Sequence, residues 1–418
     1  MLRIKGRPEI FRDSQTFVGI NVEGWMTEPM TQPVLFEERR AVNGARAGVA
    51  RLNVEKSLNS LSLQMIDLLF ERLSAWATDP GIAFVMLEAA GDKAFCAGAD
   101  LHDLYKTMME HHASARRDDI RGNAYALAFF SREYRLDYLI HSYAKPVLCW
   151  GHGIVMGGGL GLMSGASHRV VSDYSRVAMP EITIGLYPDV GGTWLLNRAP
   201  GRCGLFLALT GAQLNAADAL FARFADYQIA HAEKARVMES LMRQPWTGHA
   251  ADGHRLLTDV LRSVAVAHPS PGPLREHLDL IGELCGYATL PEIVAAIAGV
   301  KTQDAWLARA AATLAAGSPG SAALSHALQR RMLHASLAEV FRAELVASLT
   351  CAARPDLAEG IRALLIDKDR RPRWRPAMLA EVTPEWVEGF FTSPWQTHEH
   401  PLADLGMSSP KASAAPTT

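Results

Sequence analysis

An α/β layered core followed by a mostly helical second half is the fold class this sequence predicts. Three observations predict it. Short apolar runs alternate with helically spaced segments from Val34 to about Ile229. The strand-like runs then fade. From Ala232 to Phe391 the text is largely helical, interrupted at "HPSPGP" and "AAGSPGSAA".

Residues 1–32 keep no sustained period and carry several prolines, which predicts a loosely attached N-terminal extension. "VLFEERRAVNGARAGVARLNV" alternates around a turn-forming Asn-Gly and predicts a β-hairpin. "SLSLQMIDLLFERLSAWATDP" spaces its apolar residues three and four apart and stops at Asp79-Pro80, an amphipathic helix. "IAFVMLEAAG" reads as a strand and "DKAFCAGADLHDLY" as a loop running into a helix. "KPVLCWGHG" reads as strand and turn, "GGGLGLMSGAS" as a small-residue helix, and "HRVVSD" as a strand. Repeated strand–helix alternation implies right-handed crossovers. The domain boundaries expected are a core over 33–235, a helical region over 236–402 and a disordered tail over 403–418, where "MSSPKASAAPTT" is small and polar.

The 418 residues are 49% hydrophobic and 21% charged, with a formal net charge of −2, the balance of a soluble globular protein. A nucleic-acid or membrane-surface binder would want a basic excess, so neither partner is expected. Five cysteines without a CxxC pair suit a reducing compartment, and no apolar leader opens the chain. A cytoplasmic protein is therefore expected. The apolar stretch Pro146–Gly165 is broken by glycines and His152, and reads as a strand and buried helix rather than a membrane span.

Two glycine clusters carry the chemistry. Gly151, Gly153 and Gly157 follow a strand, and Asp173 ends the next one, superficially a dinucleotide site. The spacing G-x-G-x-x-x-G departs from that fingerprint. The alternative starts from the missing Cβ of Gly157-Gly158-Gly159, which lets a ligand approach the backbone where a helix begins and its N–H groups are free. A carbonyl oxygen gathering negative charge is the natural guest. In "FCAGAD" the amide of Ala99 offers a second donor, and each such donor is worth about 3–4 kcal/mol to a transition state. Either cluster alone is equally explained by close strand–helix packing.

Together, "DKAFCAGADL", "KPVLCWGHGIVMGGG", "VAMPEITIGLYPDVGGTWLLNRAPG" and "LALTGAQLNAADAL" resemble the crotonase (enoyl-CoA hydratase/isomerase) superfamily, in its order and near its spacing. The resemblance implies a crotonase-like core of repeated ββα units holding an acyl-CoA thioester. Its carbonyl would lie in an oxyanion hole between the amides of Ala99 and Gly158. It also places Asp100, Leu101 and Lys56 among the residues that contact substrate, Lys56 through a CoA phosphate.

Hydratases of that family look like two-carboxylate enzymes, because adding water across a double bond requires a base and an acid. Here the "PE" carboxylate is present as Glu181, but Gly161 stands where the glycine-helix Glu would be. Asp189 is gained in the "PDVGG" turn. With "EGIRALLIDKDRRPRWRPAMLAEVTPEWVEGFF", Glu359 to Phe391, this resembles the 3-hydroxyisobutyryl-CoA hydrolase branch. The branch implies a thioesterase of valine breakdown, acting on a short 3-hydroxyacyl-CoA. Glu181 would serve as nucleophile or general base, and Asp189 would hold the 3-hydroxyl or the water. A turn residue capping the next helix is the plainer account of Asp189. An enoyl-CoA hydratase or isomerase, and a non-catalytic acyl-CoA-binding scaffold, are the competing functions.

Glu133 sits within the apolar stripe Ala126, Phe129, Phe130, Leu136 and Ile140. Either it pairs locally with Arg132 or, as the branch implies, it lines the acyl pocket. "EHH" (Glu110–His112) and "HEH" (His398–His400) lack metal-site spacing and read as solvated. No metal and no cofactor are expected, coenzyme A being part of the substrate. Beyond an acyl-CoA, the one partner left open is a second copy of the chain in a homo-oligomer.

Overall fold

The hairpin of β1 (Val34–Arg40) and β2 (Arg46–Leu52) opens the ordered body, joined antiparallel through the Asn-Gly turn. The computed structural model describes residues 32–407. The N-terminal extension up to residue 31, and positions 408–418 of the expected tail, lie outside the described residues. Helix α1 (Leu63–Thr78) starts on a Ser62 cap, ends at Asp79 as its stop signal predicts, and buries Met65, Ile66, Leu69, Leu73 and Trp76.

The chain then alternates between two sheets. Strand β3 (Ile82–Ala89) is followed by β4 (Ala94–Cys96), α2 (Leu101–His112) and α3 (Ala124–His141). After these come β5 (Val147–Gly151), β6 (Ile154–Met156) and α4 (Gly158–Ser164). Next are β7 (His168–Val171), β8 (Arg176–Ala178), a 3-10 turn at Glu181–Ile184, and the short helix α5 (Gly192–Leu196). Strand β9 (Tyr227–Gln228) closes the series. The larger sheet has the order β1-β2-β3-β5-β7-β9 and the smaller β4-β6-β8. Every pairing after the hairpin is parallel. One strand in each sheet and then a helix is the ββα repeat. The sequence reading anticipated β1, β2, β3, β5 and β7 but not the two-residue β9, and it took Ala94–Cys96 as loop.

Beyond β9 the described chain is helical, as expected. Three of its parts bear on the site: the helices Leu337–Ala353 and Pro355–Ile361 and the turn Arg362–Ile366. The expected boundary near residue 235 falls inside the helix Lys234–Met242, and one hydrophobic core runs from Val34 to Leu405. A second, smaller core joins Phe84 and Trp150 of the large sheet to Trp246 and the helix Ala250–Val264. Residues 403–407, expected to be tail, fold back instead: Asp404 pairs with Arg135 at 2.6 Å and Leu405 is buried. An apolar anchor in mostly polar text is enough to hold them. No helix among the described residues is long and apolar enough to cross a membrane. Cys96, Cys149, Cys203, Cys285 and Cys351 are free and buried.

Candidate active site

Parallel strands end on one edge, and the small sheet uses that edge to assemble a site. β4 leads into Ala97-Gly98-Ala99, β6 into Gly157-Gly158, and β8 into Met179-Pro180-Glu181. Ladder partners Cys96–Val155 and Met156–Ala178 set these three exits side by side. A cavity opens there, lined by Ala99, Gly158, Glu181, Asp189, Glu133 and Leu101 among others.

The two residues whose amides are expected to hold an oxyanion, Ala99 and Gly158, both line this gap. Leu61 donates to Gly98 O and accepts from the Asp100 amide, a parallel bridge that turns the N–H of Ala99 the other way. Gly158 is the first residue of α4, so its N–H has no partner within the helix. A Cβ built on Gly158 would run into Glu133 Oε1 and stand 3.8 Å from the Ala99 nitrogen, in the space between the two loops. Glycine keeps that space empty.

Glu181 is buried beside this loop. Its Oε1 would lie 3.1 Å from a Cβ on Gly157, and its Oε2 has no hydrogen-bond partner among the described residues. The helical half secures its turn: the Ser318 amide donates to Ile182 O at 3.1 Å, and Leu364 from the turn after Ile361 closes one wall of the cavity. Burial first, and then the neighbouring Asp189, hold the Glu181 carboxyl well above the usual carboxylate range.

Asp189 is buried in a strained turn. Val190, which is β-branched, has φ +52° and Gly191 φ +78°. The Asp189 side chain does not cap α5: the Gly192 amide donates to the main-chain oxygen of Asp189 at 2.6 Å, and the amides on either side go to another residue. Glu344 accepts from the Gly191 amide at 2.8 Å and from the Thr193 amide at 3.1 Å. Asp189 turns instead to Tyr134, whose hydroxyl donates to Oδ2 at 2.7 Å. Burial pushes Asp189 up to about 6, against the pull of that hydroxyl. Burial likewise pushes Glu344 to about 8 despite its two amide donors.

Glu133 lines the cavity from α3 without an ion pair. Arg132, its expected partner, bonds Asp67 at 2.8 Å, while Glu133 Oε1 is buried and unpartnered. Its carboxyl is held far above the usual range by burial and by Asp189. Leu101 lines the cavity but Asp100 does not: its carboxylate caps α2, accepting from the His102 amide at 3.2 Å. Lys56 is exposed on the 3-10 turn Glu55–Ser57, outside the cavity lining. The histidines expected to be solvated are largely tied down. His111 and His400 are buried, and His111 and His112 bond backbone carbonyls.

Sequence reasoning missed Glu344, Tyr134 and Asp137. Asp137 lies one helical turn beyond Glu133, buried, with neither oxygen partnered. It explains Gly161. A Cβ there would come within 2.8 Å of Val190 Cβ and 2.9 Å of Asp137 Oδ2, so the glycine-helix position is sealed. Gly161→Glu should therefore lower the melting temperature, overpacking of this kind costing about 1–3 kcal/mol. It should add no water-addition activity toward an enoyl-CoA, followed by loss of the conjugated thioester absorbance. A stable variant that gains that activity would show the position to be open.

Residues 47–391 match the profile of the enoyl-CoA hydratase/isomerase family. The chain belongs to that family. It is 35% identical over 368 residues to the 3-hydroxyisobutyryl-CoA hydrolase, mitochondrial, of Danio rerio, covering 88% of this chain and 91% of the relative. Two solved structures share this fold and chain length. A protein described as a carnitinyl-CoA dehydratase from Mycobacterium thermoresistibile superposes with a TM-score of 0.74 at 35% identity, covering 87% of this chain and 97% of the other. One described as an enoyl-CoA hydratase from Rhodobacter sphaeroides 2.4.1 superposes with a TM-score of 0.73 at 33% identity, covering 86% and 97%.

Proposed function

We propose that this member of the enoyl-CoA hydratase/isomerase family is a thioesterase acting on a short 3-hydroxyacyl-CoA, with 3-hydroxyisobutyryl-CoA of valine breakdown as its substrate. The observation that carries the reading is the placing of carboxylates around the amide gap. Glu181 stands beside the loop that would hold the thioester oxygen, while the α4 position from which a second carboxylate would serve water addition is closed by Val190 and Asp137. The name of the Danio rerio relative agrees with it.

In this reading the amides of Ala99 and Gly158 form an oxyanion hole and take the charge that develops on the thioester oxygen. Either Glu181 attacks the carbonyl carbon, expelling the CoA thiolate and leaving an anhydride that water then hydrolyses, or it takes a proton from a water that attacks the carbon and expels the thiolate. Asp189 and Glu133, both lining the cavity and close enough to influence each other, would hold the 3-hydroxyl. The chemistry requires neither metal nor cofactor. A pocket walled by Leu101, Leu104, Phe130 and Leu186 suits a small branched acyl group. Lys56, exposed on the turn Glu55–Ser57, remains a candidate for a CoA phosphate. We place the enzyme in the cytoplasm from its free cysteines, whereas the relative's name places that protein in mitochondria. Self-association is a further proposal, tested by light scattering.

Thiol release measured across 3-hydroxyisobutyryl-CoA, isobutyryl-CoA and an enoyl-CoA tests the assignment. Rapid release from the hydroxylated ester, slower release from isobutyryl-CoA and none from the enoyl ester is expected. Loss of enoyl absorbance without thiol release would instead make this a hydratase, the activity named for one structural neighbour. Tight binding without turnover of any ester would make it a scaffold.

A further inference from the structure

Behind Asp189 runs an unbroken file of hydroxyls. Tyr134 donates to Asp189 Oδ2 at 2.7 Å, and Tyr134 and Ser348 hydroxyls lie 2.6 Å apart. Ser348 and Tyr187 hydroxyls lie 2.8 Å apart, and Tyr187 is 2.7 Å from the main-chain oxygen of Glu344. All of these side chains are buried. The file ties α3, the "PDVGG" approach and the helix Leu337–Ala353 together.

Counting protons shows what the file can do. Four contacts link three hydroxyls, and each hydroxyl brings one proton. Both ends are acceptors when Asp189 is a carboxylate, so one contact then has no proton. With Asp189 protonated, four protons fill four contacts: Asp189 donates to Tyr134, Tyr134 to Ser348, Ser348 to Tyr187, and Tyr187 to the Glu344 carbonyl. When Asp189 loses its proton, all three hydroxyls can turn round and point toward it. The vacant contact then falls on the Glu344 carbonyl. That oxygen lies inside a helix and keeps its bond from the amide four residues on.

We propose that Tyr134, Ser348 and Tyr187 form a positioning relay that stabilises Asp189 in both charge states, its hydroxyls reversing direction each time the carboxyl gains or loses a proton. The proposal rests on the reading of Asp189 as a site residue. Besides its own amide, the file is the donor path that reaches the Asp189 carboxyl among the described residues. The ionisable groups that face it are Glu133, Tyr134 and Asp137 from α3, Glu181 and Tyr187 from the approach to the turn, and Glu344 and Cys351 from the long helix. None of these is cationic. A carboxylate in such company has to be stabilised by donors that can be aimed at it.

An infrared titration reads this directly. The carboxylic C=O band of Asp189, identified by its loss in Asp189→Asn, is followed against pH in the wild type, in Ser348→Ala and in Tyr187→Phe. Ser348→Ala keeps the Tyr134 bond but removes the donor behind it. The carboxylate is then less stabilised, and the midpoint should rise by about one pH unit. Tyr187→Phe, one link further away, should raise it by less. The acid limb of kcat/KM for thiol release should move in the same order, which a loss of packing alone would not produce. If both variants titrate as the wild type does while Asp189→Asn still alters substrate preference, the relay is refuted and Asp189 stands. If no band titrates in the wild type and Asp189→Asn changes nothing, the relay falls together with the role of Asp189.

Discussion

Glu181→Gln is expected to reduce thiol release by about ten-thousand-fold while the affinity for a CoA ester changes little, the scale seen when a nucleophile is removed from an acyl-transfer site. Gln has almost the volume of Glu, so the cavity keeps its shape and the amides of Ala99 and Gly158 still receive a carbonyl. What disappears is the carboxylate beside Gly157 that would attack or take a proton from water. Loss near a hundred-fold would point to a general base, since positioned proton transfer contributes about 10²–10⁴. Acyl mass trapped on the Glu181 peptide after a quenched single turnover would point to the nucleophile. Retention of most activity would remove Glu181 from the mechanism altogether. The wild-type rate should climb with pH above the ordinary carboxylate range, because Glu181 is held protonated by burial and acts only once ionised.

The longer large-sheet strands were readable because runs such as "IAFVMLEA" are long enough to show an apolar signature. The strands that build the site were not. "AFC", "IVM" and "RVA" have three residues each, too few for a period of two to declare itself, and glycines flank the second on both sides. Glu181 and Asp189 were found because they stand in contiguous motifs. Glu344 was not, because its partners Gly191 and Thr193 lie far off in the chain and only tertiary packing brings them to it. A signal existed nonetheless: Glu344 and Ser348 are four apart within a run that buries Phe341, Leu345 and Leu349, so both polar groups face inward. Asp137 had the same signature, four residues after Glu133 on a stripe already recognised as apolar. A polar residue repeated at helical spacing inside a buried face marks a partner yet to be found. Asp100 went the other way: its place beside Ala99 suggested substrate, but the first turn of α2 had the stronger claim on it.

Asp189→Asn should slow 3-hydroxyisobutyryl-CoA much more than isobutyryl-CoA. A group that recognises a hydroxyl contributes only when the hydroxyl is present, and a hydrogen bond to a charged acceptor is worth about 1.5–3 kcal/mol, or roughly ten- to a hundred-fold in kcat/KM. Asn can still accept from the Tyr134 hydroxyl, so the turn held by Glu344 should survive, as a thermal melt would show. The same substitution removes a like charge that faces Glu181. Glu181 then ionises more easily, and the acid limb of the rate toward both esters should move to lower pH. The two effects separate two roles. Loss of discrimination reports contact with the hydroxyl, and movement of the limb reports the electrostatic coupling of the carboxyls. Equal slowing of both esters with the expected pH movement would make Asp189 a regulator of Glu181, and recognition of the hydroxyl would pass to Glu133, the other acid lining the cavity.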